Sequence, residues 1–535
     1  MNQGARLARS AGVVSAATLT SRIFGFIRDM IVANLFGAGF TADAFYVAFG
    51  IPNILRVFFA EGALSAAFIP VFTKERTDGG DEAARRLSGA FWVTLALILA
   101  VVTVIGVLAA PYLVKVLVPG FGQNPSKYAL TVRLTRIMFP FLFFIGLAAV
   151  AAGILNTLGH FLTPALTPVF FNFSMIACAL WLAPVLEPAA AGLAWGVVIG
   201  GAVQLIVLLK PLRKRRQLPK LRWEPAHPGS RRIARLMVPA LFGFSIAQIG
   251  TLVDRLLASF LAEGSISFLY YANRLLQFPL GIFGIALSIA IFPALSAHAA
   301  KEERGEFLET LGAGLRLVLF VCLPSAAGLW ILAHPIIQVL FERGAFTAAD
   351  TAMTAKAVMA YAAGLAAYAG VKIVVSAFYS LQDTRTPVKI AALVLAANVV
   401  LNVILMVPLK HAGLALAGAL CAFLNVGLLL RALHRRLGGL GGRAIARSFY
   451  RILPPTALMA VIVYGAKHQL YALAGSLAGR VSALAACLLL GAAVYLLAAK
   501  VTGCRELSLL RESLRSRQAA NAPPPDLNPE CDEGP

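Results

Sequence analysis

Apolar runs of about 20 residues recur from Ala11 to Ala499 with short polar breaks between them, and each can cross a hydrocarbon core of roughly 30 Å as a helix. In lipid every backbone N–H and C=O must be satisfied within the protein, so such a chain can form helices or a closed barrel and little else. A transmembrane barrel needs segments of about ten residues that alternate in polarity. Stretches such as Val93–Leu108 and Ala485–Ala499 do not alternate. The predicted fold class is therefore an all-α polytopic membrane protein. Composition agrees, with 59% hydrophobic and 13% charged residues and a mean hydropathy of +0.80, against about 25% charged in soluble domains. A soluble enzyme is excluded.

About 14 transmembrane helices are predicted, at 8–36, 41–72, 88–113, 129–153, 162–183, 189–209, 233–262, 267–297, 308–333, 350–381, 386–408, 412–432, 449–470 and 480–500. A net charge of +23 would suggest nucleic acid in a soluble protein. Here it is read by position, because cytoplasmic loops of membrane proteins collect Lys and Arg. The surplus lies mainly in Lys210–Arg235, with its run Arg213-Lys214-Arg215-Arg216, and in Arg431–Arg451. Both fall inside if the N-terminus is inside, so both termini are expected in the cytoplasm and no nucleic-acid partner is expected. Such a loop serves first as a topology determinant and second as a clamp for anionic lipid headgroups. The first apolar stretch carries Arg22, Arg28 and Asp29 in its middle, which suits a helix rather than a signal peptide. Scattered cysteines without CxxC spacing imply neither a disulfide frame nor a metal site. The polar tail beyond about Gly503 reads as dispensable, and its Pro- and acid-rich end, Asn521–Pro535, as disordered.

The chain also repeats itself. An offset of 225 pairs Asp29 with Asp254, Ala33 with Ala258, Gly39 with Gly264 and Tyr46 with Tyr271, and an offset of 223 pairs Ala63-Leu64-Ser65 with Ala286-Leu287-Ser288. Six predicted helices separate the copies, an even number, so the repeat is parallel. The expected organisation is an N-lobe of helices 1–6 (1–210), a basic cytoplasmic loop (211–232) and a C-lobe of helices 7–12 (233–435). Two extra helices (436–502) and a cytoplasmic tail (503–535) follow. Transporters commonly bind substrate where two such lobes face each other.

An ionisable side chain at bilayer depth costs at least about 2.5–3.5 kcal/mol and marks function by default. Arg22, Arg28 and Asp29 in helix 1, Arg56 and Glu61 in helix 2, Asp254 and Arg255 in helix 7 and Arg274 in helix 8 all sit on the repeated pair. The arginines outnumber the acids. A guanidinium offers a fixed fork of donors matched to phosphate or carboxylate oxygens, so the implied ligand is an anion. A structural ion-pair network is the alternative, above all for Arg255. Arg22 and Arg28 stand six residues apart, about 240° around an ideal helix, and Gly25 between them could permit a bend that brings them together.

Asn398 and Asn402 share one face of helix 11, and with Asp254 they could hold a coupling cation such as sodium in an oxygen shell. Interhelical hydrogen bonding explains the same residues. No GxxxxGK[ST] motif, HExxH motif or nucleophilic triad appears, so an enzyme and a bound organic cofactor are not expected.

The residues then show a specific likeness. Ser21-Arg22-x-x-Gly25-Phe26-x-Arg28-Asp29, Phe36-Gly37-Ala38-Gly39-x-x-x-Asp43-Ala44-Phe45, Pro52-Asn53-x-x-Arg56, Phe59-Ala60-Glu61-Gly62-Ala63, Tyr271-Ala272-Asn273-Arg274-Leu275 and Gln382-Asp383-Thr384-Arg385-Thr386-Pro387 resemble the MurJ/MviN lipid II flippases over essentially residues 1–500. The resemblance implies membership of the multidrug/oligosaccharidyl-lipid/polysaccharide exporter superfamily, with helices 13 and 14 lining a groove for a polyprenyl tail. It implies essential cavity arginines at Arg22, Arg28, Arg56 and Arg274, acidic positions at Asp29, Asp43 and Glu61, and substrate contacts that include Ser21, Asn53 and Asn273. Asn273 departs from an acid found in many relatives. The implied substrate is lipid II, carried from the inner to the outer leaflet of the bacterial cytoplasmic membrane for cell wall synthesis. The expected partners are lipid II and membrane lipids, with a monomeric carrier and cell wall synthesis proteins as associates. A polysaccharide or drug exporter of the same superfamily is the competing reading, although an exporter of cationic drugs would want an acidic cavity.

Overall fold

The computed structural model describes residues 3–57 and 63–508, so Glu61 and the end of the tail, including Asn521–Pro535, lie outside the described residues. All regular structure among the described residues is helical. In chain order the α-helices are α1 (Gln3–Phe36), α2 (Phe40–Arg56), α3 (Ala63–Leu117), α4 (Pro125–Met138), α5 (Phe141–Thr157), α6 (Leu162–Ala177), α7 (Ala190–Lys214) and α8 (Pro228–Ala258). They continue as α9 (Ser265–Pro279), α10 (Ala286–Ala300), α11 (Arg304–Phe341), α12 (Ala348–Ala363), α13 (Leu365–Ser380), α14 (Arg385–Leu437), α15 (Gly442–Ala472) and α16 (Leu477–Val501).

The fourteen predicted spans map onto these elements in order. α3 and α14 run for 55 and 53 residues, about 80 Å each at 1.5 Å per residue, more than twice a bilayer core. Backbone breaks at Gly80 (φ +76°) and Lys410 (φ +53°) divide each in two, in the gaps predicted between spans. Other spans are interrupted instead: α4 and α5 adjoin at Pro140, α9 passes into α10 through the π-helical turn Leu280–Ile285, and α12 meets α13 at a bend of 43°. By length and apolarity nine described helical spans suffice to cross a membrane, or ten with α12 and α13 taken as one. α1, α2, α8 and α9, which carry most of the charges predicted at membrane depth, are not among them. α2 and α9, which carry the repeated motifs, begin 225 residues apart.

The chain forms two compact units. The first comprises Met1–Leu276, Ala333–Tyr361 and Val388–Cys421. One of its cores packs Phe68, Phe72, Leu87, Phe91, Leu95 and Leu99 of α3 against Leu142, Val150 and Ile154 of α5, Leu208 of α7 and Ile233 of α8. The second comprises Gln277–Leu332, Ala362–Pro387 and Ala422–Pro535. In it Tyr495 of α16 donates to the Phe320 carbonyl of α11 at 2.6 Å, while Leu489 and Val501 of α16 are 73% and 88% exposed on a face that lipid would cover. Asp383 starts α14: its carboxylate accepts from the Arg385 and Thr386 amides and the Thr386 hydroxyl, and pairs with Arg436 at 2.8 Å. The Thr386 amide bond leads in holding this carboxyl below its usual range. The Gln382–Pro387 motif is thus a helix start.

The tail docks further than its composition suggests. Cys504 and Glu506 are buried, Ser448 donates to Glu506 Oε1 at 2.7 Å, and Arg316 Nε stands 3.9 Å from the same oxygen. Residues 504–506 therefore belong to the packed unit, against the expectation that the chain beyond Gly503 is dispensable. Ending the chain after Ser508 is expected to leave thermal stability unchanged. Ending it after Gly503 strands Ser448 and Arg316 and should cost about 1–3 kcal/mol, read as a lowered unfolding midpoint.

Candidate substrate-binding site

Asp29 is 1% exposed in α1 and collects the site around it. Arg28 donates to its Oδ1 through Nη2 at 2.7 Å and Nε at 3.1 Å. Tyr270 of α9 donates to the same oxygen at 3.3 Å and accepts from Arg28 Nη2. Arg274 Nε, one helical turn after Tyr270, lies 2.8 Å from Asp29 Oδ2 in ion-pair contact without hydrogen-bond alignment. α6 supplies the remaining support: Asn172 accepts from Arg28 Nη1 at 3.0 Å and donates to the Ser21 carbonyl at 3.2 Å. One carboxylate thus bridges two guanidiniums from two helices.

Gly25 has a different use from the predicted bend. α1 runs unbroken from Gln3 to Phe36, and a Cβ at Gly25 would stand 2.6 Å from Arg274 Nη2. The missing side chain is the notch in which Arg274 lies. Gly50 of α2 does the same for Arg255, whose Nη1 occupies the place a Cβ would take. With α1 unbroken, Arg22 and Arg28 remain on separate faces, Arg22 exposed and Arg28 buried. Arg274 is intermediate, its side chain 36% exposed.

The acid expected at Asp43 is spent on architecture. Its buried carboxylate accepts from Gly264 N at 2.8 Å, Ser267 N at 2.9 Å and the Ser267 hydroxyl at 2.7 Å, and it pairs with Lys127 Nζ at 2.8 Å. Those amides are the free donors at the start of α9, where the helix dipole also favours negative charge. In return Glu263, just before α9, accepts from Phe40 N at the start of α2 at 2.7 Å. The repeat-related helices cap each other, and Tyr46 of α2 stacks on Tyr270 with ring centroids 3.9 Å apart. Asp43 therefore serves Arg274 and Asn273 by fixing the helix that carries them.

The other predicted residues fall into separate groups. Asn53 accepts from Arg56 Nε at 2.9 Å, both half-buried on α2, and Asn273 is half-buried on α9. Asp254, Asn398 and Asn402 do meet: Asn402 Nδ2 donates to Asp254 Oδ1 at 2.8 Å and to Asn398 Oδ1 at 3.0 Å. Asn172, Tyr270 and Lys127 join the site without belonging to any of the sequence motifs. Asn172 alone carried a signal, an amide inside the apolar run Phe170-Phe171-Asn172-Phe173.

This pairing of a buried and a partly exposed arginine on one carboxylate, set in an apolar helical frame, agrees with what the chain is similar to. The family model described as "Lipid II flippase MurJ" matches residues 32–482. A relative from Vibrio cholerae, described as a probable lipid II flippase MurJ, is 44% identical over 436 residues, covering 80% of this chain and 83% of its own. A solved structure described as lipid II flippase MurJ in an inward closed conformation superposes with a TM-score of 0.76 at 28% identity, covering 91% of this chain and 98% of its own. A multidrug resistance MATE family transporter, in an inward-facing conformation, shares the fold at 12% identity, with a TM-score of 0.67 over 80% of this chain and 98% of its own. The chain belongs to the MurJ family of lipid II flippases.

Proposed function

We propose that this chain carries lipid II from the inner to the outer leaflet by alternating access, with Arg28 and Arg274 forming the centre of its diphosphate site. The observation that carries the reading is Asp29 shared between these two arginines, one buried and fixed, the other partly exposed. Diphosphate oxygens can take the donors of Arg274 that Asp29 leaves open, and guanidinium geometry suits them. Arg22 and Arg56 add charge along the path, and Ser21, Asn53 and Asn273 add polar contacts. The apolar exteriors of α15 and α16 suit the polyprenyl tail. In this reading both termini are cytoplasmic, the carrier works as a monomer in the bacterial cytoplasmic membrane, and cell wall synthesis proteins are its associates. An inside-negative potential then favours outward passage of the anionic headgroup by about 2.3 kcal/mol per charge per 100 mV. The test is complementation: expression in a bacterium depleted of its own flippase should restore growth and the labelling of externally exposed lipid II. Growth without restored labelling would sink the assignment.

A coupling cation, sodium being the simplest, fits at Asp254, Asn398 and Asn402. Asn402 is fully buried and its Oδ1 has no hydrogen-bond partner. Turning that amide over would set Oδ1 beside Asp254 Oδ1 and Asn398 Oδ1, giving three oxygens of the kind small cations prefer. Sodium is expected to raise the unfolding midpoint of the purified protein, and Asp254→Asn to remove that response while leaving lipid II binding intact. No response in the wild type, or an unchanged one in the variant, would reduce the three residues to a hydrogen-bond cluster between α8 and α14.

A further inference from the structure

The connection from α7 to α8 holds ten Lys or Arg between Lys210 and Arg235 against one acid, Glu224. Its path is fixed on the middle of α3, just past the break at Gly80. Lys220 N donates to the Arg85 carbonyl at 3.3 Å, Arg85 Nε donates to the Leu218 carbonyl at 3.3 Å, Lys220 pairs with Glu82, and Arg86 pairs with Glu224 at 3.0 Å. Gly89 leaves the room that lets the Lys220 backbone lie flat on α3. Held in this way, the segment turns Leu221 and Trp223 outward, 69% and 62% exposed, with exposed Arg222 between them. Arg213, Lys214 and Arg216 at the end of α7 are also exposed, as are Arg231, Arg232 and Arg235 in the first turns of α8.

Two large apolar side chains on a strapped segment, set among unneutralised cations where two membrane helices meet the water, have one natural medium. Trp prefers the headgroup layer, Leu the acyl boundary, and Lys and Arg the phosphates of anionic lipid. A soluble acidic partner would meet the charge, but it would not call for the apolar pair beside spans that already lie in lipid.

We propose that Leu221 and Trp223 insert into the membrane interface and that Arg213, Lys214, Arg216 and Arg222 gather anionic lipid headgroups around them, making this connection an anionic-lipid docking surface. Arg215 is left out of that set because it is tied to the Leu158 carbonyl at 3.3 Å and to His160.

The full-length protein in mixed vesicles tests this. Subtracting the emission of Trp223→Phe from that of the wild type isolates Trp223. Lipids brominated on their acyl chains then report its contacts, brominated phosphatidylglycerol in a phosphatidylcholine background against the reverse mixture at equal mole fraction. Trp223 should be quenched in both and more by brominated phosphatidylglycerol. Arg213→Gln, Lys214→Gln and Arg216→Gln together should erase that preference, each cation being worth about fivefold in anionic-lipid affinity. Equal quenching by the two lipids in the wild type would overturn headgroup recognition. Absence of quenching would place the segment in water and leave it to an acidic soluble partner.

Discussion

Arg28→Lys is expected to fail in complementation as fully as Arg28→Ala, whereas Arg22→Lys is expected to grow normally. Arg28 uses three nitrogens on three oxygen-bearing partners: Nε and Nη2 on Asp29, Nη2 also on Tyr270, and Nη1 on Asn172, with Met175 Sδ a weaker fourth contact of Nη1. A lysine ammonium is a single point on a flexible stem, so it can keep Asp29 or Asn172 but not both. Breaking a buried charge pair costs about 3–5 kcal/mol, and the geometry of Arg274 on the shared carboxylate would be lost with it. Arg22 is exposed, so charge alone should satisfy its role. Growth and external lipid II labelling at matched protein levels decide the matter. Normal function of Arg28→Lys would mean that the fork is unnecessary.

The second large effect is expected at Asp43, away from any phosphate. Asp43→Asn removes the counter-charge of Lys127, which is buried, its Nζ lying 4.4 Å from the Phe121 ring centroid. It also swaps an acceptor for a donor at the start of α9. A loss of about 3–5 kcal/mol is expected, read as a lowered unfolding midpoint. Adding Lys127→Met should recover part of it, because the stranded ammonium is then gone. If Asp43→Asn melted like the wild type, the reciprocal capping of α2 and α9 would not be holding them together.

The frame was legible because bilayer thickness and a period of apolar runs leave few alternatives, and even the breaks inside α3 and α14 coincide with gaps between the predicted spans. The cluster at Arg28, Asp29 and Arg274 was legible for a related reason: charges at that depth demand an explanation. Roles within it were not. Asp43 and Asp29 look alike as lone acids in apolar sequence, yet one caps a helix and the other bridges arginines, a difference set by which helix starts nearby. Gly25 suggested a hinge because sequence shows the missing side chain but not the guanidinium that fills its place. Asn172 and Lys127 are partners that become visible only when distant segments are brought together.

A carrier of anions has to make one empty journey for every loaded one, and on that journey its cations face the membrane without cargo. The carboxylate shared by Arg28 and Arg274 keeps both guanidiniums partly neutralised with no other anion present. In the proposed site the headgroup meets only the outer donors of Arg274 while Asp29 stays in place, so neither the loaded nor the unloaded carrier holds two bare guanidiniums in a low-dielectric interior.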